Sequence, residues 1–359
     1  MDHPQPMVTV IIPAYKVEGY IGRALESLLA QTFTDFEVIA VDDGSPDRSG
    51  EILDQYAKRD PRIRAVHQEN GGAPAARNNA MSMARGKYYY FMDGDDWCEP
   101  TMLQRLVSLA EKSNAQMVVA GFYIDTYYGD SSEEGTGKFF RETKEVPSIE
   151  YASQDDFRHD AARLMDHNLL YAPWNKIILR SYVDEHHIQF RSTFMDDFPF
   201  NLDVIRDIER VRVTDEKFYH FIRARQESET TKYRPDIFEK REEEDGWLRE
   251  LFTSWGVRDA STTEFLARRY TDRLIGSIEN VTSPSSPLSD ADKLADIERM
   301  ACTPKARAAA HLAHANSPYM ALAYRVIVAQ NPRMMFGLGK LITKVKARTR
   351  LFAFLKSRR

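Results

Sequence analysis

The sequence predicts an α/β fold: a mostly parallel sheet with flanking helices, followed by a helical C-terminal extension. Short β-branched runs alternate with amphipathic segments over the first third of the chain. Proline, glycine or aspartate closes most of those runs, and beyond Pro235 strand signals fade while helical periodicity persists. Such alternation implies βαβ units, whose connections demand a parallel sheet covered by helices on both faces.

The elements follow in order. VTVIIPAY (8–15) is a β-branched run interrupted by Pro13 and reads as a strand buried on both faces. EGYIGRALESLLAQT sets Ile21, Leu25, Leu28 and Leu29 on one helical stripe. FEVIAVDDGS (36–45) is a second strand that ends in acids and a Gly-Ser turn. RSGEILDQYAKRD is helical through Ile52, Leu53 and Tyr56, and RIRAVHQ is a third strand. APAARNNAMSMARG (73–86) reads as a helix, with Pro74 suited to its first turn and Gly86 to its end. KYYYFMD is the fourth strand, TMLQRLVSLAEKSNA (101–115) a helix and QMVVAGFY a strand. EKFYHFIRARQES (216–228) returns as a strand, with Arg223 read as exposed. IFEKREEEDGWLRELFTSW and TEFLARRYTDRLIGSIENV are helices, and TSPSSPLSD (282–290) is a linker. The expected organisation is one sheet domain over 1–230, with halves 7–110 and 111–230, and a helical region over 231–359.

The 359 residues suffice for a proper core, and a net charge of −5 argues against a nucleic-acid binder. Cys98 and Cys302 are too few for a disulfide framework or a zinc site. Neither a secretory leader nor an apolar run of membrane-spanning length is visible, so a cytoplasmic protein is expected.

Asp42, Asp43, Asp93, Asp95 and Asp96 fall at the carboxyl ends of predicted strands, where open α/β sheets bind ligands. Clustered carboxylates repel one another unless a cation or hydrogen-bond donors balance them. An all-oxygen set suits Mg²⁺ or Mn²⁺, which completes its shell with substrate phosphates and water. No glycine-rich dinucleotide or P-loop signature is present, so a metal would have to hold the phosphates. Asp96, just before Trp97, reads equally as the N-cap of the next helix.

VTVIIPAYK, QTFTDFEVIAVDDGSPDRS, ENGGAPAARNNAM and YYYFMDGDDWCEP, in that order, resemble the nucleotide-sugar-binding half of the family 2 glycosyltransferases, inverting enzymes of the GT-A fold. The resemblance covers residues 7 to about 110. It implies that Pro13 and Tyr15 border the nucleotide base and that Asp43 accepts a hydrogen bond from it. It places Arg77 near the diphosphate, Asp93 near the ribose, and Asp95 on the metal, with Asp93 and Asp95 as the ends of an Asp-x-Asp motif. Lys16 departs from the family's usual asparagine.

The second half, APWNKIILRSYVDEHHIQF and TFMDDFPFNLDVI, resembles bacterial members that build capsule, exopolysaccharide or wall glycans. Inverting transfer needs one carboxylate to take the proton of the incoming hydroxyl. Asp197 matches the second acid of the family's pair and is the expected base, with Asp196 as second choice. Read without the resemblance, both acids simply open a helix. Trp174 and Asn175 are candidates for the acceptor pocket, a ring for stacking and an amide for hydroxyls, although a buried tryptophan is also ordinary core. His186 and His187 read as structural or solvated.

After Glu298 there is no acidic residue, while nine lysines and arginines lie between Arg333 and Arg359. Leu338, Leu341, Ile342, Val345 and Phe352 share one helical side, a pattern suited to an anionic membrane face, with packing on the protein as the alternative. The sequence thus points to a metal-dependent inverting glycosyltransferase using a UDP-sugar and a glycan acceptor, lipid-linked if the tail binds membrane. A non-catalytic nucleotide-sugar-binding module and a nucleotidyltransferase are the alternatives.

Overall fold

The structure, a computed structural model, describes residues 5–128, 138–193, 195–223 and 233–348. The chain divides into two compact units, residues 1–224 and 225–359. The first contains β1 (Val8–Ala14), α1 (Ile21–Leu29), β2 (Phe36–Asp42), α2 (Ser49–Arg59), β3 (Ile63–His67), α3 (Ala73–Met83) and β4 (Tyr88–Phe91). It continues with β5 (Trp97–Cys98), α4 (Met102–Ser113), β6 (Met117–Tyr128), β7 (Lys138–Lys144), β8 (Ile149–Glu150), α5 (Gln154–Asp166), β9 (Lys176–Leu179), α6 (Arg180–Glu185), α7 (Asp197–Arg206) and β10 (Val211–Arg223).

The sheet runs β3-β2-β1-β4-β9-β6-β10-β5, with β7 on β6 and β8 on β10. β1 lies parallel to both neighbours, Ile11 standing between Ile39 and Phe91, and Ala14 pairs with Asp42. The parallel strands therefore end along one edge, and the segments after β1, β2 and β4 all emerge there. β9 departs from the parallel pattern: it is antiparallel to both β4 and β6, with Ile177 opposite Tyr90 and Val118. Running the other way, it begins at the edge where β4 ends, so Lys176 starts at the site edge.

α3 stops at Met83, short of Gly86, which serves a different purpose from a helix end. The Gly86 N–H donates to Thr9 Oγ1 at 2.8 Å. A Cβ on Gly86 would stand 2.3 Å from the Thr9 nitrogen, so only glycine lets the chain pass this close to β1.

The second unit contains α8 (Ile237–Ser254), α9 (Ala260–Thr282), α10 (Asp290–Ala301), α11 (Pro304–Leu312), α12 (Pro318–Val328) and α13 (Pro332–Arg348). Asp259, Ser289, Thr303 and Ser317 cap α9 to α12 through their side chains, satisfying backbone donors that the first helical turn leaves unpaired. Glu244 pairs with Arg241 of its own helix and joins α8 to α9 through Arg269 and Arg273. Burial would raise its carboxyl, but the three guanidinium groups outweigh that and hold it down to about 2. On α13, Met335 and Ile342 enter this unit's core with Leu274, Ile278, Ile297 and Ile327, while Leu341 is 57% exposed. The Val345 side chain and Phe352 lie outside the described residues.

Candidate active site

At the carboxyl edge, β1 delivers Pro13 and Tyr15, β2 delivers Asp43, and β4 delivers Asp93 and Asp95. Tyr15 is 42% exposed. Lys16 sits at φ 55°, a left-handed conformation in which asparagine is more at ease than lysine. Asp43 is buried and receives Gln68 Nε2 at 2.7 Å and the N–H groups of Gly71 and Gly72 at 2.9 and 2.8 Å. Its carboxylate therefore anchors the turn into α3. Gly72, at φ 85°, needs the conformational freedom of glycine to present that N–H.

Arg77 on α3 is the centre of the site. Its side chain is only 5% exposed, and its guanidinium reaches Asp93 Oδ1 at 2.8 Å, Asp196 Oδ2 at 2.9 Å and Asp197 Oδ1 at 3.0 Å. The Phe190 ring lies beneath it, 5.0 Å from the guanidinium carbon, and is itself stacked on Phe200. Burial works against its charge, but Asp197, Asp93 and Asp196 outweigh burial and keep it protonated. One cation thus ties the acids after β4 to those opening α7. The sequence separation of 119 positions between Arg77 and Asp196 explains why no local pattern shows the contact.

Asp196 precedes α7 and makes no side-chain capping bond to it; its carboxylate turns to Arg77 instead. Burial pushes the Asp197 carboxyl up to about 7; Arg77 and Lys176 oppose the shift, and Asp93 and Asp196 reinforce it. Burial likewise raises Asp196, against the pull of Arg77. Asp197 Oδ1 is buried with an ion-pair contact but no hydrogen bond, and the side chain as a whole is 29% exposed.

Asp96 takes another path. It is 1% exposed, accepts the Tyr219 hydroxyl at 2.7 Å and the Ile222 N–H at 2.8 Å, and so fastens the Asp-Gly-Asp-Asp turn to β10. Burial, with Asp95 and Asp93 adding to it, raises its carboxyl well above the usual range. The Tyr219 oxygen also accepts the Asp93 N–H at 3.1 Å. Trp174 stacks on Tyr219 with ring centroids 4.5 Å apart and is 6% exposed. Asn175 is 2% exposed, and its amide nitrogen bonds the Ala120 and Leu169 carbonyls, both at 3.0 Å. Both side chains of the expected acceptor pair are thus engaged inside the protein. The sequence shows Tyr219 only as part of a returning strand and assigns Phe190 and Lys176 no role, because the groups they meet lie elsewhere along the chain.

Arg77 faces the carboxylates of Asp93, Asp196 and Asp197. Among the described residues no three acidic, histidine or cysteine side chains converge as a metal cluster. An ion at Asp93 and Asp95 would have at most these two carboxylates from the protein and take its remaining oxygens from diphosphate and water, which is how Mg²⁺ and Mn²⁺ bind nucleotide substrates. The donor set fits such an ion.

The family model for glycosyl transferase family 2 matches residues 9–186. The uncharacterized glycosyltransferase EpsJ of Bacillus subtilis is 32% identical over 300 residues, which span 81% of this chain and 83% of EpsJ. TuaG of the same organism, provisionally named a teichuronic acid biosynthesis glycosyltransferase, is 41% identical over 138 residues, 38% of this chain and 52% of TuaG. Among solved structures, S. aureus TarS 1–349 superimposes with a TM-score of 0.62 at 18% identity, covering 92% of this chain and 90% of that one. The same protein has been solved with UDP-GlcNAc, with a TM-score of 0.56 at 20% identity, covering 92% of this chain and 90% of that one.

Proposed function

Because the chain belongs to glycosyltransferase family 2, we propose that it transfers a sugar, with inversion, from a uridine diphosphate donor to a hydroxyl of a growing cell-envelope glycan. The observation that carries this reading is the Arg77 bridge, which brings donor-side Asp93 within one guanidinium of acceptor-side Asp196 and Asp197. In a single displacement the leaving diphosphate and the attacking hydroxyl flank the anomeric carbon, so their protein groups must share one site. Tyr15 and Pro13 border the base, Asp43 reads it while holding the Gly71-Gly72 turn, and Asp93 lies by the ribose. Asp95, with Asp93 beside it, would hold Mn²⁺ or Mg²⁺, which would supply positive charge to offset that of the departing diphosphate. Asp197 removes the hydroxyl proton, and Asp196 shares its ion pair with Arg77.

The relatives support the donor and the setting: TarS has been crystallised with UDP-GlcNAc, and TuaG bears a wall-polymer name. Calorimetric titration with UDP is the first test. Binding is expected to strengthen at least tenfold with Mn²⁺, and Asp95→Ala is expected to abolish that gain. Equal affinity with and without the ion in the wild type would overturn the metal assignment. A panel of UDP-glucose, UDP-galactose, UDP-N-acetylglucosamine and GDP-mannose, scored by nucleotide release, then identifies the sugar. Binding without release from any of them, whatever acceptor is added, would instead support a binding module.

The acceptor is lipid-linked on this reading, and the protein works at the cytoplasmic membrane face. Support comes from the basic, acid-free end of the sequence and from exposed Met334 and Leu341 on α13. No described helix is long and apolar enough to cross a membrane, so attachment would be peripheral. Sedimentation with phosphatidylglycerol vesicles is expected to capture the protein, and replacing Lys344, Lys346, Arg348 and Arg350 by glutamine to release it. Equal capture by neutral phosphatidylcholine vesicles would contradict the charge argument.

A further inference from the structure

The segment after β4 carries both candidate metal carboxylates, and it closes on itself: the Asp96 N–H reaches the Asp93 carbonyl at 3.3 Å, the bond of a four-residue turn. Both ends of that turn then meet one phenol. The Tyr219 hydroxyl accepts the Asp93 N–H at 3.1 Å and donates to Asp96 Oδ2 at 2.7 Å, while Asp96 Oδ1 takes the Ile222 N–H at 2.8 Å. A hydroxyl has one proton to give and two lone pairs to accept with, so a single group can serve both ends.

Tyr219 cannot follow the turn if the turn shifts. It is 1% exposed, and its backbone pairs with Cys98 of β5 on one side and Phe122 of β6 on the other. Its ring lies on Trp174 at an interplanar angle of 10°. Trp174 is held in turn by Phe122, edge-on with centroids 4.6 Å apart, and by the Tyr90 hydroxyl on its carbonyl. On the remaining sides of the turn, Arg77 takes Asp93 Oδ1, and Arg23 of α1 donates to the Asp95 carbonyl at 3.2 Å. Gly94, between the two acids, is seated closely: a Cβ there would stand 3.3 Å from both the Pro13 carbonyl oxygen and Ile21 Cδ1.

An ion that takes at most two carboxylates from the protein depends on how well those two are placed, because Mg²⁺ in particular tolerates little departure from octahedral geometry. Groups that orient metal ligands from behind typically change metal affinity about 10- to 100-fold when they are removed. We propose that Tyr219 is a positioning residue for the divalent ion of the donor: its hydroxyl, fixed by Trp174 and the β10 pairing, holds both ends of the Asp93–Asp96 turn so that Asp93 and Asp95 are presented to the ion. Trp174, buried beneath that ring, serves the donor side through it. The proposal rests on Asp93 and Asp95 as the ion's carboxylates.

The test is calorimetric UDP affinity over a series of Mn²⁺ concentrations, for the wild type, Tyr219→Phe, Asp96→Asn and Tyr182→Phe. Tyr219→Phe keeps the ring and removes only the hydroxyl. The Mn²⁺ concentration that gives half of the metal-dependent gain is expected to rise about tenfold in it, while UDP affinity without metal stays at the wild-type value. Tyr182→Phe removes a different buried hydroxyl, one that bonds the Val204 carbonyl at 2.8 Å, and should leave both readings unchanged. A merely structural role for Tyr219 would weaken UDP binding equally with and without Mn²⁺. That result, or an unmoved midpoint, would overturn the proposal. Asp96→Asn, which leaves one acceptor oxygen for the Tyr219 and Ile222 donors, should move the midpoint in the same direction, and an unmoved midpoint there would overturn the proposal even if Tyr219→Phe failed to fold. If the wild type gained nothing from Mn²⁺, or Asp95→Ala kept the gain, the metal assignment itself would fall, whatever the Tyr219 variant did.

Discussion

Asp197→Asn is expected to lower kcat by about a thousandfold at pH 8 while leaving UDP affinity within about threefold. General-base catalysis is worth roughly 10²- to 10⁴-fold, and an amide keeps the shape of the carboxylate without its ability to accept a proton. The donor side is untouched, since Asp93, Asp95 and Asp43 stand on other segments. In the wild type, burial raises Asp197 to about 7. The base is competent only when ionised, so kcat should rise with pH through that region and level off above it. Asp196→Asn, which leaves Asp197 in place, should cost far less. Stopped assays of nucleotide release across pH 5.5 to 9, with substrate saturating, check each of these. Comparable losses in both variants would transfer the role to Asp196 or to the pair acting jointly.

Arg77→Met should be the most destabilising substitution in the site, by about 3–5 kcal/mol at pH 8. Methionine fills much the same volume over Phe190 but leaves Asp93, Asp196 and Asp197 facing one another without their shared cation. Already in the wild type burial raises the Asp196 and Asp197 carboxyls, and removing Arg77 raises them further. A carboxyl whose folded value exceeds its unfolded one binds more protons in the native state, so stability falls as pH rises between the two values. The deficit of Arg77→Met relative to wild type should therefore shrink at pH 5 and widen at pH 8. Urea unfolding at both pH values measures it, and a deficit independent of pH would mean that lost packing on Phe190, not charge, is the cause. Saturating UDP and Mn²⁺ should restore part of the loss, by mass action on the folded state.

Most of the donor half was legible in the sequence. Apolar β-branched runs and helical patterns are local, so β1 to β4 and α1 to α4 follow from residues that are neighbours along the chain. The same locality puts Asp43, Asp93 and Asp95 beyond strand ends, and the end of a parallel strand is where a ligand sits. Gly86 shows the limit within that half. Its place near a helix end fits a cap, but what requires a glycine is the passage of Thr9 against it, from 77 positions away.

The sequence by itself determined the α/β class, the strand-end acids, the family resemblance and a pair of candidate bases. Only the tertiary structure decided which groups share an electrostatic environment. It turned Asp196 from a helix end to Arg77, buried Asp96 against Tyr219 and closed Asn175 onto backbone carbonyls. The antiparallel entry of β9 is responsible for the last of these, because reversing the strand carries its beginning, next to Asn175, to the edge where β4 ends. Strand direction and burial are set by long-range packing, and a carboxylate's role depends on both: Coulomb energy falls with distance and rises as water is excluded, and neither distance nor water exclusion is written in the order of residues.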